Sequence, residues 1–217
     1  ILYEGTGSEQ YISNVGLNLD VDNGGDGGLV WVKNRTTGSR DNILTDSVRG
    51  EALYVESNTT DAEQSGSSHI KNLEANGFIV GTNNTVNTNG DDYVGWVWRG
   101  GGDATSNTNG TNITSQVSVN AAAGFSIVKY TGTGVVSDTV GHGLSNAELI
   151  FLRSLDGTYN WRAWNQDFPA NSWAYLDRSN TPVTSDDNGG IRNVDADTFG
   201  FINGAVDISA VNNSGDR

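Results

Sequence analysis

Phe125-Ser-Ile-Val-Lys-Tyr130-Thr-Gly-Thr-Gly134, with Gly143-Leu144 and Leu149-Ile-Phe-Leu-Arg153 behind it, is a passage the chain has already written once. Tyr130-Thr-Gly132-Thr133-Gly134 restates Tyr3-Glu-Gly5-Thr6-Gly7, and Gly143-Leu144 restates Gly16-Leu17, both at a spacing of 127 residues. The apolar run 149–153 answers Leu29-Val-Trp-Val-Lys33 at a spacing of 120, so the first copy carries seven extra residues between these points. Further on, Tyr175-Leu-Asp177 answers Tyr54-Val-Glu56, and Val211-Asn-Asn-Ser-Gly-Asp216 answers Val86-Asn-Thr-Asn-Gly-Asp91. Self-similarity in the same order along the chain is the mark of one module written in tandem.

The 217 residues then divide into two modules, each of roughly 100 residues and able to bury a modest core. The expected boundaries are 1–99 for the first and 121–217 for the second. Residues 100–120, rich in Gly, Ser, Thr and Asn, read as a linker. With 29 glycines and 2 prolines the chain is set for many tight turns between short strands. The expected fold is all-β, two tandem antiparallel β-sandwich modules.

Leu29-Val-Trp-Val32, between Gly-Gly and Lys33-Asn34, reads as a strand at the centre of the first module. Residues 42–45 and 52–56 read as further strands, and 58–68 as a polar loop. Asn76-Gly77 and Asn89-Gly90 read as hairpin turns before 78–80 and 93–98. In 93–98 the two-residue period puts Val94, Trp96 and Trp98 on one face and Tyr93, Gly95 and Val97 on the other. The two tryptophans are a possible ligand platform, but the preferred reading has them filling the core or the module junction.

A net charge of −14 with 12 basic residues argues against nucleic acid, whose phosphates need clustered Lys and Arg. It disfavours an anionic membrane surface for the same reason. There is no cysteine, which excludes disulfides and thiolate chemistry. No apolar run approaches the length of about 18 residues that spans a bilayer as a helix, and no leader pattern stands at the start. The absence of methionine implies that the natural start codon lies elsewhere.

Asp20-Val-Asp22-Asn-Gly24-Gly-Asp26 holds the seven-residue excess and has a spacing of acids suited to calcium, with Asp20, Asp22 and Asp26 as candidate ligands. The alternative is a solvated acidic turn. No nucleophile elbow, zinc helix or phosphate loop occurs. His142, in the turn Gly141-His-Gly143, reads as an exposed structural residue. The pairs Asp91-Asp92 and Asp186-Asp187 read as loop acids rather than a glycosidase pair. No cofactor is expected beyond that calcium. In the second copy the tryptophans move to Trp161, Trp164 and Trp173, near the positions of Ile43, Thr45 or Asp46, and Ala52, and these three are the candidate glycan-binding residues.

Gly28-Leu-Val-Trp-Val-Lys-Asn34, Asp46-Ser-Val-Arg-Gly50, Tyr54-Val-Glu-Ser-Asn-Thr-Thr60, Gly77-Phe-Ile-Val-Gly81, Tyr93-Val-Gly-Trp96 and Gly124-Phe-Ser-Ile-Val-Lys-Tyr130, with Val140-Gly-His-Gly-Leu144, carry a resemblance. In order and spacing the chain resembles an uncharacterised tandem repeat domain of virion structural proteins of tailed bacteriophages, especially marine phages. The resemblance implies a tail-fibre or surface-appendage component with a jelly-roll or concanavalin-like β-sandwich. It carries no catalytic residues. The expected function is a non-enzymatic structural module of an extracellular assembly, with other copies or other virion proteins as partners. The alternative is a carbohydrate-binding module for host-surface glycans.

By the repeat, Ile1-Leu-Tyr3 corresponds to Val128-Lys-Tyr130, the end of a strand, and Asp216-Arg217 stands just before the position of the 93–98 strand. The expectation is an open edge in the second module, filled by further chain or by a donated strand.

Overall fold

The computed structural model describes residues 1–179, 181–183, 189–202 and 208–217. Strands dominate, and every ladder between named strands for which a register is given is antiparallel. The all-β expectation therefore holds. Among the described residues no helix is long and apolar enough to cross a membrane.

Two compact units form. The first holds residues 1–57, 63–104 and 118–127, the second 58–62, 105–117 and 128–217. The division differs from the expected one because residues 100–120 are not a linker: they carry the strands Thr105–Asn107 and Ser115–Asn120, which pair with each other. The glycine-rich composition there serves close approach. A Cβ on Gly101 would stand 1.9 Å from the Val119 carbonyl oxygen.

In chain order the first unit has β1 (Leu2–Glu4), β2 (Gln10–Ser13), β3 (Gly28–Asn34), β4 (Ile43–Asp46), β5 (Leu53–Glu56), β6 (Gln64–Ser65), β7 (Ile70–Glu74), β8 (Gly77–Val80), the one-turn helix α1 (Asn84–Asn87) and β9 (Asp92–Arg99). One sheet has the order β1-β9-β3-β4-β5-β6 and the other β2-β8-β7. β3 shows why. Gly28, Val30, Val32 and Asn34 are buried and the alternate residues half-buried, so the branched side chains fill one face of a pleated strand. Val30 and Val32 meet Ile43 and Tyr93 from their own sheet and Ile12, Phe78 and Val80 from the other in one core. Burying each such side chain stabilises by about 1.5–3 kcal/mol. The 58–68 stretch, expected as loop, contains β6. Asn89-Gly90 follows α1 rather than joining two strands, so it is a turn but not a hairpin.

β10 (Thr105–Asn107), β11 (Ser115–Asn120) and β12 (Phe125–Lys129) form a three-stranded sheet, and the division between units falls within β11 and β12. The second unit continues with β13 (Thr139–Gly141), β14 (Leu149–Leu152), β15 (Arg162–Asn165), β16 (Ala174–Tyr175), β17 (Ile191–Arg192), β18 (Thr198–Phe201) and α2 (Ser209–Asn212). Its sheets β13-β18-β17 and β14-β15-β16 repeat β2-β8-β7 and β3-β4-β5.

The repetition extends to single bonds. Tyr3 donates its hydroxyl to the Val86 carbonyl, and Tyr130 to that of Val211. Thr6 and Thr133 donate their amides to Asn87 Oδ1 and Asn212 Oδ1, each at 2.8 Å. The amides of Gly5 and Gly132 reach the Asp91 and Asp216 carbonyls, and those of Gly7 and Gly134 the Asn87 and Asn212 carbonyls. Tyr3 meets Phe78 edge-on at 6.5 Å, as Tyr130 meets Phe199 at 6.1 Å. One expected correspondence shifts. Trp31 pairs with Leu44 and Leu44 with Val55, while Phe151 pairs with Ala163 and Ala163 with Ala174. Trp173 therefore takes the place of Tyr54, and Tyr175 that of Glu56. The error of two residues keeps the face, which is why a period-two pattern did not reveal it.

Candidate functional site

The outer face of the first unit's larger sheet presents an aromatic strip. β9 alternates as expected, with Tyr93 and Gly95 buried, so Trp96 and Trp98 point outward at 44% and 36% exposure. They do not fill the core. Antiparallel register sets Trp96 directly across from Trp31 and Trp98 across from Leu29. The Trp31 ring lies 5.8 Å from Trp96 and 6.3 Å from Trp98, and Trp98 stacks on Phe125 at 6.2 Å and 19°. Leu2, paired with Val94, extends the apolar area toward the sheet edge. Contiguous exposed indoles of this kind mark an interaction surface.

The three tryptophans expected to bind glycan lie elsewhere. Trp173 is fully buried, with the Arg162 guanidinium 4.4 Å from its ring centroid and Tyr175 edge-on at 4.7 Å. Trp161 is buried, with Arg153 5.3 Å from its centroid. Trp164 is half-buried against the second unit's core. Trp173 and Trp161 thus offer no ring face to a sugar. The cause is a pair of arginines that go inside with them: Arg162 donates to the Gly189 and Asn160 carbonyls, and Arg153 to those of Ser154, Thr59 and Asp61.

The acidic loop is organised from within. Asp20 caps a single 3-10 turn, accepting from the Asn23 amide at 3.1 Å and from Asn23 Nδ2 at 2.7 Å. Asp26 pairs with Arg99 at 2.8 Å, and Asp22 is exposed. Among the described residues no three potential metal-ligating side chains come together, so Asp20, Asp22 and Asp26 are not gathered around a common point.

Both histidines are buried. His142, expected as an exposed residue, is buried: the Leu144 amide donates to its Nδ1, and its Nε2 faces the Asp195 carbonyl oxygen at 3.3 Å. His69 lies 4.0 Å from the Tyr54 ring, and burial pushes its pKa down. Asp91 accepts from Asn34 Nδ2 and Thr37 Oγ1, which makes it a structural anchor. Asp186 and Asp187 lie outside the described residues. A shallow polar concavity of the second unit is lined by Asn109, Thr111, Thr139, Asp195 and Asp197. There the backbone amides of Asp197 and Thr198 hold the Asp195 carboxyl below its usual range.

Residues 1–214 match a family described as a domain of unknown function, DUF7483. The chain belongs to that family. The match runs through both units, so the duplicated pair lies within the DUF7483 domain. No curated protein and no solved structure matches the chain.

Proposed function

We propose that this DUF7483 chain is a non-enzymatic structural module of an extracellular assembly of the virion-appendage kind, with other copies or other virion proteins as its neighbours. The observation that carries the reading is the duplication itself: two units that share the orders β2-β8-β7 and β13-β18-β17, β3-β4-β5 and β14-β15-β16, and the same side-chain anchors, the economy by which rods and decorated surfaces are built from one module. The resemblance to repeat domains of tailed-phage structural proteins supports the setting. The engagement of both histidines and of Asp91 in structural contacts supports a non-enzymatic role. Two sheets around one core in the first unit support a sandwich of the jelly-roll or concanavalin-like kind. The test is immunogold electron microscopy of particles purified from the source culture, with antibodies raised against this chain. Label on a particle appendage is expected; label confined to the soluble, particle-free fraction overturns the reading.

A second reading, attachment to a host-surface glycan, is favoured by one observation: Trp96 and Trp98 stand exposed on a sheet face, where an indole can stack on the apolar face of a sugar. On a glycan array the chain then binds, and Trp96→Ala with Trp98→Ala abolishes the signal. Binding unaffected by the double substitution ends this reading and leaves the first untouched.

A further inference from the structure

We propose that Asn109-Gly110 is a site of self-modification: in the folded chain Asn109 closes on the Gly110 amide, loses ammonia and becomes aspartate or isoaspartate, ahead of the other described Asn-Gly pairs. The inference stands on local geometry and holds whatever assembly the chain serves.

The chemistry belongs to the dipeptide. The Gly110 amide gives its proton to solvent hydroxide, and the freed electron pair forms a bond to Asn109 Cγ. The Cγ–Nδ2 bond then breaks, and the departing nitrogen takes a proton from water and leaves as ammonia. Water opens the cyclic imide at either carbonyl. Attack at Cγ restores the main chain and leaves aspartate; attack at the main-chain carbonyl carbon leaves isoaspartate, whose backbone runs through the side chain and is longer by one methylene. The sum is asparagine plus water to acid plus ammonia, with nothing oxidised or reduced. Glycine favours the closure because no side chain crowds its nitrogen.

Hydrogen bonding selects this pair from the others. Among the described residues Asn-Gly stands at 23–24, 76–77, 89–90 and 109–110. Asn23 Nδ2 donates to Asp20 Oδ2 at 2.7 Å, and the Gly24 amide donates to the Val21 carbonyl at 3.1 Å. Asn76 Oδ1 accepts from the Gly16 amide at 2.9 Å, and Gly77 is paired with Glu74 across the hairpin. The Gly90 amide donates to the Gly5 carbonyl at 2.9 Å. Each of these pairs has its nucleophile or its electrophile tied, and a bonded amide must open before it can lose its proton. At the fourth pair the Asn109 main-chain amide donates to Asn107 Oδ1 at 2.9 Å, while the Asn109 side chain and the Gly110 amide have no partner among the described residues. Asn109 is exposed and lines the polar concavity of the second unit, so water reaches its Cγ.

A second observation concerns what the products do. A Cβ on Gly110 would stand 2.3 Å from the Thr139 carbonyl oxygen and 2.9 Å from that of Ile113, so the backbone here lies close against its neighbours. Just beyond, the Thr111 amide donates to Thr139 Oγ1 at 2.8 Å, the Thr139 amide donates to the Thr111 carbonyl at 3.4 Å, and Asn112 bridges to Thr139. Aspartate at 109 keeps this backbone and sets a third carboxylate beside Asp195 and Asp197. Isoaspartate puts its extra methylene immediately before the close approach and pulls 110–112 off β13.

The test incubates the purified full chain at mildly alkaline pH in heavy-oxygen water, folded and in urea, and maps both samples by proteolysis and mass spectrometry with electron-transfer fragmentation, which separates the two products. In the folded chain Asn109 should convert roughly fivefold or more faster than Asn23, Asn76 and Asn89, a hydrogen bond having to open first at each of those. In urea the four rates should converge. Asn109→Gln should remove the change at this position. By amide exchange the Thr111 and Thr139 amides should be less protected in the isoaspartyl fraction and unaltered in the aspartyl one. Conversion at Asn109 no faster than at the other three overturns the proposal. So does a preference that persists in urea, which would assign it to sequence rather than fold, or an isoaspartyl fraction with Thr111 and Thr139 protected as before.

Discussion

Replacing Tyr93 by phenylalanine tests the site where the structure makes its most specific demand. The ring and its stack on Tyr3 remain, while the hydroxyl and its contacts to Thr88, Asn34 and Asn84 go. Asn34 Nδ2 keeps Asp91 Oδ2, and the Asn84 carbonyl keeps the Thr88 hydroxyl. The Thr88 amide loses the acceptor it has in the wild-type chain. One orphaned amide at about 1–3 kcal/mol, with smaller losses from the other two bonds, gives a cost of about 2–3 kcal/mol. Tyr3→Phe and Tyr130→Phe each lose one donated bond, to Val86 and Val211, for about 1 kcal/mol. In urea unfolding followed by circular dichroism, Tyr93→Phe should lower the midpoint of the first unit's transition by about 0.7–3 M, given slopes of about 1–3 kcal/mol per molar. The Thr88 amide should exchange faster. A cost within about 0.5 kcal/mol of zero, or one equal to that of Tyr3→Phe, refutes the reasoning.

Three other outcomes follow from the same structure. Because burial lowers the His69 pKa, the folded chain takes up that proton less readily than the unfolded one; the stability it contributes is whole above the unfolded value of about 6.5 and falls as pH drops through it toward the folded value, so the unfolding midpoint should decline from pH 7 to 5 and His69→Phe should flatten that decline. A Cβ on Gly5 or on Gly132 would stand 2.2 Å from the carbonyl oxygen of Thr88 or Asn213, so Gly5→Ala and Gly132→Ala should each destabilise their own unit by about 1–3 kcal/mol or more in thermal melts. Trp173→Ala should cost about 3–5 kcal/mol, whereas Trp96→Ala should leave stability within about 1 kcal/mol of wild type, a contrast read by calorimetry.

Much of this was legible in the sequence because it rests on backbone placement. Tyr-x-Gly-Thr-Gly could be found twice because the first glycine of each copy lies against a carbonyl where no side chain fits, the second has a positive φ, and each threonine amide is capped by an asparagine, so the spelling is held by local geometry. The alternation of β9 was legible for the same reason. What alternation could not give is which face meets solvent: Trp96 and Trp98 share a face correctly, but that face is the open one. Trp161 and Trp173 were misread because nothing in the spelling of the sequence shows that Arg153 and Arg162 go inside with them. Their guanidinium groups are in fact buried against the indoles and satisfied by backbone carbonyls, a tertiary arrangement with no periodic trace. Residues 100–120 looked like a linker because glycines that permit close approach and glycines that permit flexibility are spelled alike.

The central claim is that one module is written twice, down to the bonds that hold its first turn. Residue-resolved amide hydrogen exchange on the intact chain tests it most directly. The amides of Gly5, Thr6 and Gly7, bonded to the Asp91 carbonyl, Asn87 Oδ1 and the Asn87 carbonyl, and those of Gly132, Thr133 and Gly134, bonded to the Asp216 carbonyl, Asn212 Oδ1 and the Asn212 carbonyl, should be protected as matched sets. Protection at one set with fast exchange at the other would contradict the account.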